Sequence, residues 1–229
     1  MIAQSEMLNT TTYTSLQLGV LAIGHLSWAV LYAMVLRNIR RHGVVEIPAA
    51  AVAANFAYVT VWGILRQTDH GSLFVWLNRG GFILELLVFG YVLLNGARHI
   101  RIPEVKRWFK PGMLLSYACW AAMLVAFANQ PGPRPVDASV ELVAGFIVSL
   151  TMSTMYVVVE LSEIEPQQYS LVAGWAKLVG NGCASAFCLM VFPTNHFLLS
   201  LCAITLVLDL AYLWLFRQRQ LVQPSPVPA

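Results

Sequence analysis

Seven times along this chain an apolar run approaches the ~20 residues that an α-helix needs to cross a bilayer. The runs cover residues 16–36, 47–65, 74–95, 113–129, 140–161, 170–192 and 195–216, and the connections between them leave no room for a second folded unit. Hydrocarbon offers no hydrogen-bonding partners, so each run is predicted as a helix that satisfies its own backbone. The expected architecture is all-α, an integral membrane bundle of seven transmembrane helices forming one domain over residues 1–220. A proline-rich, disordered cytoplasmic tail is expected over residues 221–229. Composition agrees, with 58% hydrophobic and 11% charged residues. A soluble domain carries about twice that charge.

The charges that remain fall mostly between the runs. Arg37, Arg40, Arg41, Arg98, Arg101, Lys106, Arg107, Lys110, Arg217 and Arg219 share one side of the expected bundle, and the other side holds little beyond Arg66 and Arg134. Positive charge stays cytoplasmic, so the N-terminus is predicted outside or lumenal and the C-terminus in the cytoplasm, in a bacterial inner membrane or the endoplasmic reticulum. The net charge of +3 then reports topology and anionic lipid contact rather than nucleic-acid binding. Residues 98–110, with Trp108 and Phe109, are expected to lie on headgroups as an interfacial segment. Asn9-Thr10-Thr11 is a sequon on the lumenal side. Residues 130–135, rich in proline and glycine, mark a turn. Glu163 and Glu165 read as a solvated acidic face. No transit peptide or signal-peptide cleavage site precedes the first run, so that run is expected to drive insertion itself.

Several chemistries lack their residues. The four cysteines lie in apolar runs at no metal-ligand spacing, and no nucleotide-binding glycine loop or His-Glu-x-x-His motif is present. Aspartate-rich clusters that bind diphosphate through magnesium are missing, and the final run has no lysine for a retinal Schiff base. No metal or cofactor is expected, and any chemistry here is acid and base work on an apolar molecule taken from the bilayer.

Ionisable groups inside the runs are the candidates for that work, because a charge in hydrocarbon costs at least ~2.5 kcal/mol and therefore faces the bundle interior. Asp209 stands in the last run with Cys202, Thr205 and Tyr212 at helical spacing on its face. Glu85 lies near the middle of the third run, on a face with Asn78, Gly81, Phe89 and Gly96. Lys177 shares its face with Gly174, Asn181 and Cys188, and Asn55 shares one with Tyr58 and Trp62. Ser149, Ser153, Tyr156 and Glu160 form a stripe on the fifth run. At 1.5 Å per residue, Lys177, Asn55 and Asp209 fall at similar depth, so a structural Lys177–Asp209 ion pair stands beside a catalytic grouping as an alternative. Ala49, Ala53 and Ala57 form a row of small residues suited to close helix packing. His25, with Trp28 and Tyr32 on its face, reads as an interhelical partner.

The order Trp28…Tyr32, Ile47-Pro48, Asn55-Phe56-Ala57, Met152-Ser153, Lys177 to Gly180 and Leu208-Asp209-Leu210-Ala211-Tyr212 resembles the small seven-helix membrane terpene cyclases of fungal indole-diterpene and meroterpenoid pathways and their bacterial relatives. The resemblance implies acid-initiated, metal-independent cyclisation of a prenyl or epoxy-prenyl chain. It implies two acids, one in the last run, carried over to Asp209 as the expected principal acid, and a glutamate soon after the Asn-Phe-Ala motif. Where that glutamate is expected the chain reads Tyr58, Val59 and Thr60, so Glu85 is the candidate replacement. A buried undissociated carboxyl would protonate the chain, and Trp28, Tyr58, Trp62, Trp120, Tyr156 and Tyr212, with Asn55 and Lys177, would line the substrate. The implied class is isomerase or lyase in terpenoid secondary metabolism, acting on a lipophilic prenylated molecule beside other pathway enzymes. The rival class is a non-catalytic lipid or small-ligand binder, transporter or sensor, anchored through Lys177 and Asp209.

Overall fold

The computed structural model describes residues 6–43, 45–129, 138–161 and 170–222. Within them seven α-helices follow one another: α1 (Ser15–His42), α2 (Ala49–Thr60), α3 (Ser72–Asn95), α4 (Pro103–Ala128), α5 (Ala138–Leu161), α6 (Leu171–Val191) and α7 (His196–Val222). Among the described residues there is no strand. The expected turn at 130–135, Glu163, Glu165 and residues 223–229 lie outside the described residues. The first two residues of the expected tail, 221 and 222, belong to α7.

Five helices, α1, α3, α4, α5 and α7, are long and apolar enough to cross a membrane. The two that fall short do so for different reasons. The apolar helix containing α2 ends at Leu65 and is shorter, and α6, with 21 residues, dilutes its apolar run with Lys177 and Asn181.

Local sequence sets the ends. Thr14 caps α1 in a reciprocal box with Gln17, and Gly43 closes it in the left-handed region at φ 68°. A side chain is strained there, whereas glycine is not. Arg40, Arg41 and His42 occupy the last turn of α1, where the helix dipole favours cations. Ser170 caps α6, and the Asn195 side chain accepts from the Leu198 N–H at the start of α7. The basic stretch starts in a 3₁₀ turn, Gly96–His99, and after residues 100–102 runs on as the exposed first turns of α4. Pro103 at the helix start favours that continuation. Phe109 folds back over Gly96, where a Cβ would stand 2.6 Å from its ring.

The helices close into a ring. α1 packs on α6, α6 on α7, α7 on α5, α5 on α2, α2 on α3, and α3 returns to α1, while α4 stands outside mainly against α2. Small residues set the close approaches. A Cβ on Gly24 would lie 3.3 Å from the Gly180 carbonyl, and one on Gly180 would lie 2.8 Å from Trp28. Ala53 and Ala57 are wholly buried in the α2 contacts. At its C-terminal end α2 widens into a π turn, Val61–Leu65, in which the Arg66 N–H donates to Val61 O at 2.8 Å. Gly63 in this turn lets the Asn78 backbone approach, with its carbonyl 3.0 Å from where a Cβ would be. That contact fixes Asn78 on α3 against the end of α2. Beside it the loop 66–71 is held by the N-terminal segment: Asn9 N–H donates to His70 O at 3.1 Å and Leu73 N–H to Met7 O at 3.1 Å. The Asn9 side chain, the acceptor of the sequon, donates to Asp69 O at 2.8 Å.

Candidate functional site

The ring encloses a cavity of about 520 Å³ between α1, α2, α3, α5 and α6. Its walls are largely apolar, from Leu21, Trp28, Val59, Leu84, Leu142, Phe146 and Ala184, with tyrosine rings from Tyr32 and Tyr58. Gly145 makes room for Tyr58, since a Cβ there would stand 3.1 Å from the phenol oxygen. The polar groups of the wall are few: His25, Asn55, Asn78, Ser149 and Asn181. One flank, between α1 and α3, carries lining residues that are exposed on the bundle surface, namely Ala29, Trp76, Gly80 and Ile83. Gly80 and Gly81 have nothing within 4 Å of a would-be Cβ. The cavity opens sideways there.

Three buried carboxyls stand behind the wall, and each is held by an asparagine of the wall. Asn55 donates from Nδ2 to Glu85 Oε1 and to the Tyr32 hydroxyl. Tyr32 also lies within bonding reach of Glu85. Glu85 is wholly buried, and among the described residues its Oε2 has no hydrogen-bond partner.

Asp209 is satisfied on both oxygens. Asn181 Nδ2 donates to Oδ2 at 2.7 Å, Ser153 Oγ–H donates to Oδ1 at 2.7 Å, and the Lys177 ammonium pairs with Oδ1. Lys177 also donates to Ser153 Oγ at 2.5 Å and lies 5.6 Å from the centre of the Tyr156 ring. Tyr212 meets Tyr156 edge to face at 4.9 Å. Gly174 makes this cluster possible, because a Cβ there would come within 3.0 Å of Tyr212. Of the stripe on α5, Ser149 reaches the cavity, Ser153 and Tyr156 serve the ion pair, and Glu160 pairs with Arg219 at 3.3 Å.

The third carboxyl, Glu141 in the first turn of α5, accepts from Asn78 Nδ2 at 3.2 Å and from Thr68. Asn78 Oδ1 lies 3.3 Å from His25 Nε2, and His25 Nδ1 lies 3.0 Å from Leu21 O. Thr68 in turn meets His70 Nδ1 at 2.5 Å. His70 is enclosed by Tyr13, Phe74 and Phe187. Burial, reinforced by His25, pushes its pKa down to about 3. Glu46, in the connection before α2, is buried with no partner for Oε1 among the described residues, and burial raises its carboxyl to about 7 against the Ser170 backbone N–H that holds the charged form.

The sequence-predicted residues thus divide. Trp28, Asn55 and Tyr58 line the cavity. Glu85 and Asp209 lie one residue behind it. Lys177, Tyr156 and Tyr212 gather at Asp209, on the far side of Asn181. Trp62 stacks on Tyr58 at 5.1 Å, and Trp120 on α4 packs outside with Trp62, Ala57 and Ala144. Glu141, Glu46 and the loop residues Thr68 and His70 escaped the sequence reading. Glu141 sits one residue inside its apolar run, where an acid reads as a boundary marker. Its one usable signal was the i+4 and i+8 spacing to Gly145 and Ser149.

Fold and site together define an all-helical protein whose apolar helices are compatible with an integral membrane protein, built around an internal apolar chamber. No family model, curated protein or solved structure matches the chain.

Proposed function

We propose that this protein is a membrane terpene cyclase or isomerase that protonates a prenyl or epoxy-prenyl chain inside the bundle and guides the carbocation to a ring. In this reading all seven helices span the bilayer, α2 and α6 among them, with the N-terminus outside or lumenal and the C-terminus cytoplasmic. The observation that carries it is Glu85. It is a wholly buried carboxyl, held by neutral groups, with one oxygen that no described residue partners, standing one residue behind the wall of an apolar chamber lined by aromatic rings. A carboxyl with neutral partners is the one able to keep a transferable proton. Asp209, bound to a lysine ammonium and two further donors, is suited to fixing Asn181 and the α5–α6–α7 contact.

The reaction balances without a cofactor. The Glu85 proton adds to the alkene carbon or epoxide oxygen, the next double bond closes the ring, and the resulting cation gives up a proton from carbon to the Glu85 carboxylate, which restores the acid. Trp28, Tyr32 and Tyr58 offer electron-rich faces to that cation. Val59, where the resemblance expects the initiating acid, lines the same chamber one helical turn beyond Asn55. An acid on α3 that binds Asn55 thus serves the space that an acid at position 59 would serve.

The test is product analysis with prenylated and epoxidised substrates and the purified protein in lipid. Isomeric products of unchanged mass support the cyclase. Binding without any product would establish the second reading, a binder of neutral amphiphiles. One observation favours that reading: asparagines, and no carboxyl, meet the chamber directly.

A further inference from the structure

At the end of the chamber next to the loop 66–71, the hydrogen bonds around His25 can be counted. His25 Nδ1 faces the Leu21 carbonyl at 3.0 Å. A carbonyl only accepts, so Nδ1 carries a hydrogen. The other nitrogen, Nε2, faces Asn78 Oδ1 at 3.3 Å, and Asn78 Nδ2 faces Glu141 Oε1 at 3.2 Å.

With the amide in this orientation Oδ1 accepts, so Nε2 must also carry a hydrogen. The ring is then an imidazolium and Glu141 a carboxylate receiving the amide N–H. With the amide turned over, Nδ2 donates to a neutral Nε2, and Oδ1 faces Glu141. Two oxygens in contact need a hydrogen between them, so Glu141 is then the acid. Both arrangements contain the same number of protons and the same zero net charge. Each holds one proton more than a neutral imidazole beside a carboxylate. The count is the same for both orientations of the amide.

We propose that His25, Asn78 and Glu141 form a second acid–base site, one that stores a single transferable proton at the chamber wall for the oxygen function of a lipophilic occupant. His25 and Asn78 both line the chamber, so the proton is presented to its contents. Glu141 lies behind them and is reached from the loop through Thr68. The other titratable groups facing the site are Asp69 and His70 on the loop and Tyr58 on α2. His70 is neutral in the ordinary range and sits on Thr68, so it leaves the proton count unchanged. The proposal rests on the chamber being an occupied site and not on cyclisation.

The experiment uses the full chain in lipid nanodiscs with no substrate present. Nitrogen-15 histidine labelling reads whether the His25 ring carries one hydrogen or two, with the signal assigned by its loss in His25→Gln. Infrared spectroscopy reads the carbonyl stretch of a protonated carboxyl, assigned by its loss in Glu141→Gln. If that variant does not accumulate, Glu141→Asp shifts the band and carries the assignment. The expected result at neutral pH is a doubly protonated His25, or a neutral His25 with a protonated Glu141. A neutral ring together with an ionised Glu141 overturns the proposal. Neither readout needs turnover, so an inactive cyclase assay would leave this site standing, and an empty proton site would leave the role of Glu85 untouched.

Discussion

Asn55 on α2 donates to Glu85 on α3, and it does so one helical turn before Val59. This single bond joins the helix that lacks an acid to the helix that carries one. Glu85→Gln keeps the shape and the hydrogen-bonding capacity of the site but has no proton to give. Turnover should fall by roughly 10²–10⁴-fold, the usual worth of a general acid, while substrate still binds. Val59→Glu placed in that background should restore part of the rate. Product formation at the original rate by Glu85→Gln would remove the residue from the role.

Lys177 and Asp209 are both buried, with 2% and 3% of their surface exposed. Removing one partner leaves an uncompensated charge, which costs about 3–5 kcal/mol. Lys177→Met should therefore unfold at a clearly lower temperature, and Lys177→Met with Asp209→Asn should regain most of the loss. Thermal unfolding in detergent reads both. Equal melting temperatures for wild type and the single variant would show that the pair contributes nothing.

Glu46 and His70 predict opposite pH slopes. The Glu46 carboxyl is raised from 4.5 to about 7, so the folded state binds the extra proton between these values. Its contribution is full below the lower value and is lost as pH rises through the upper. His70 is lowered from 6.5 to about 3, so there the unfolded state binds the extra proton, and stability is lost as pH falls from the upper value toward the lower. Glu46→Gln should raise the melting temperature in mildly alkaline buffer and change it little in acid. A gain that is the same at both ends would point to packing and away from ionisation.

Gly80 and Gly81 border the sideways opening and have free space at the Cβ position. Gly81→Phe should slow access of a lipophilic ligand or substrate severalfold while leaving the melting temperature within a degree or two. Unchanged association kinetics, measured by ligand-induced tryptophan fluorescence, would place the opening elsewhere.

Much of this site was readable in the sequence because helical spacing fixes which residues share a face. Cys202, Thr205, Asp209 and Tyr212 are all buried, as their spacing predicts, and so are Gly174, Lys177, Asn181 and Cys188. Spacing does not fix which helix meets that face. The ring order places α7 behind α5 and α6, so Asp209 is screened from the chamber by Asn181, and Tyr156 and Tyr212 serve the lysine. Trp120 was unreadable for the same reason, since nothing in its own helix says that α4 stands outside the ring. The Glu141 site was least accessible. It joins α1, α3, α5 and a loop through an asparagine whose backbone packs against Gly63 in the π turn.

In the proposed membrane setting, the sideways mouth between α1 and α3 also determines the variable that governs occupancy. A chamber that exchanges with acyl chains responds to the mole fraction of its ligand in the bilayer, and bulk concentration matters only through partitioning. Adding inert lipid at constant total ligand should therefore lower occupancy or rate in proportion, a two-dimensional dilution that a chamber opening to water would not show.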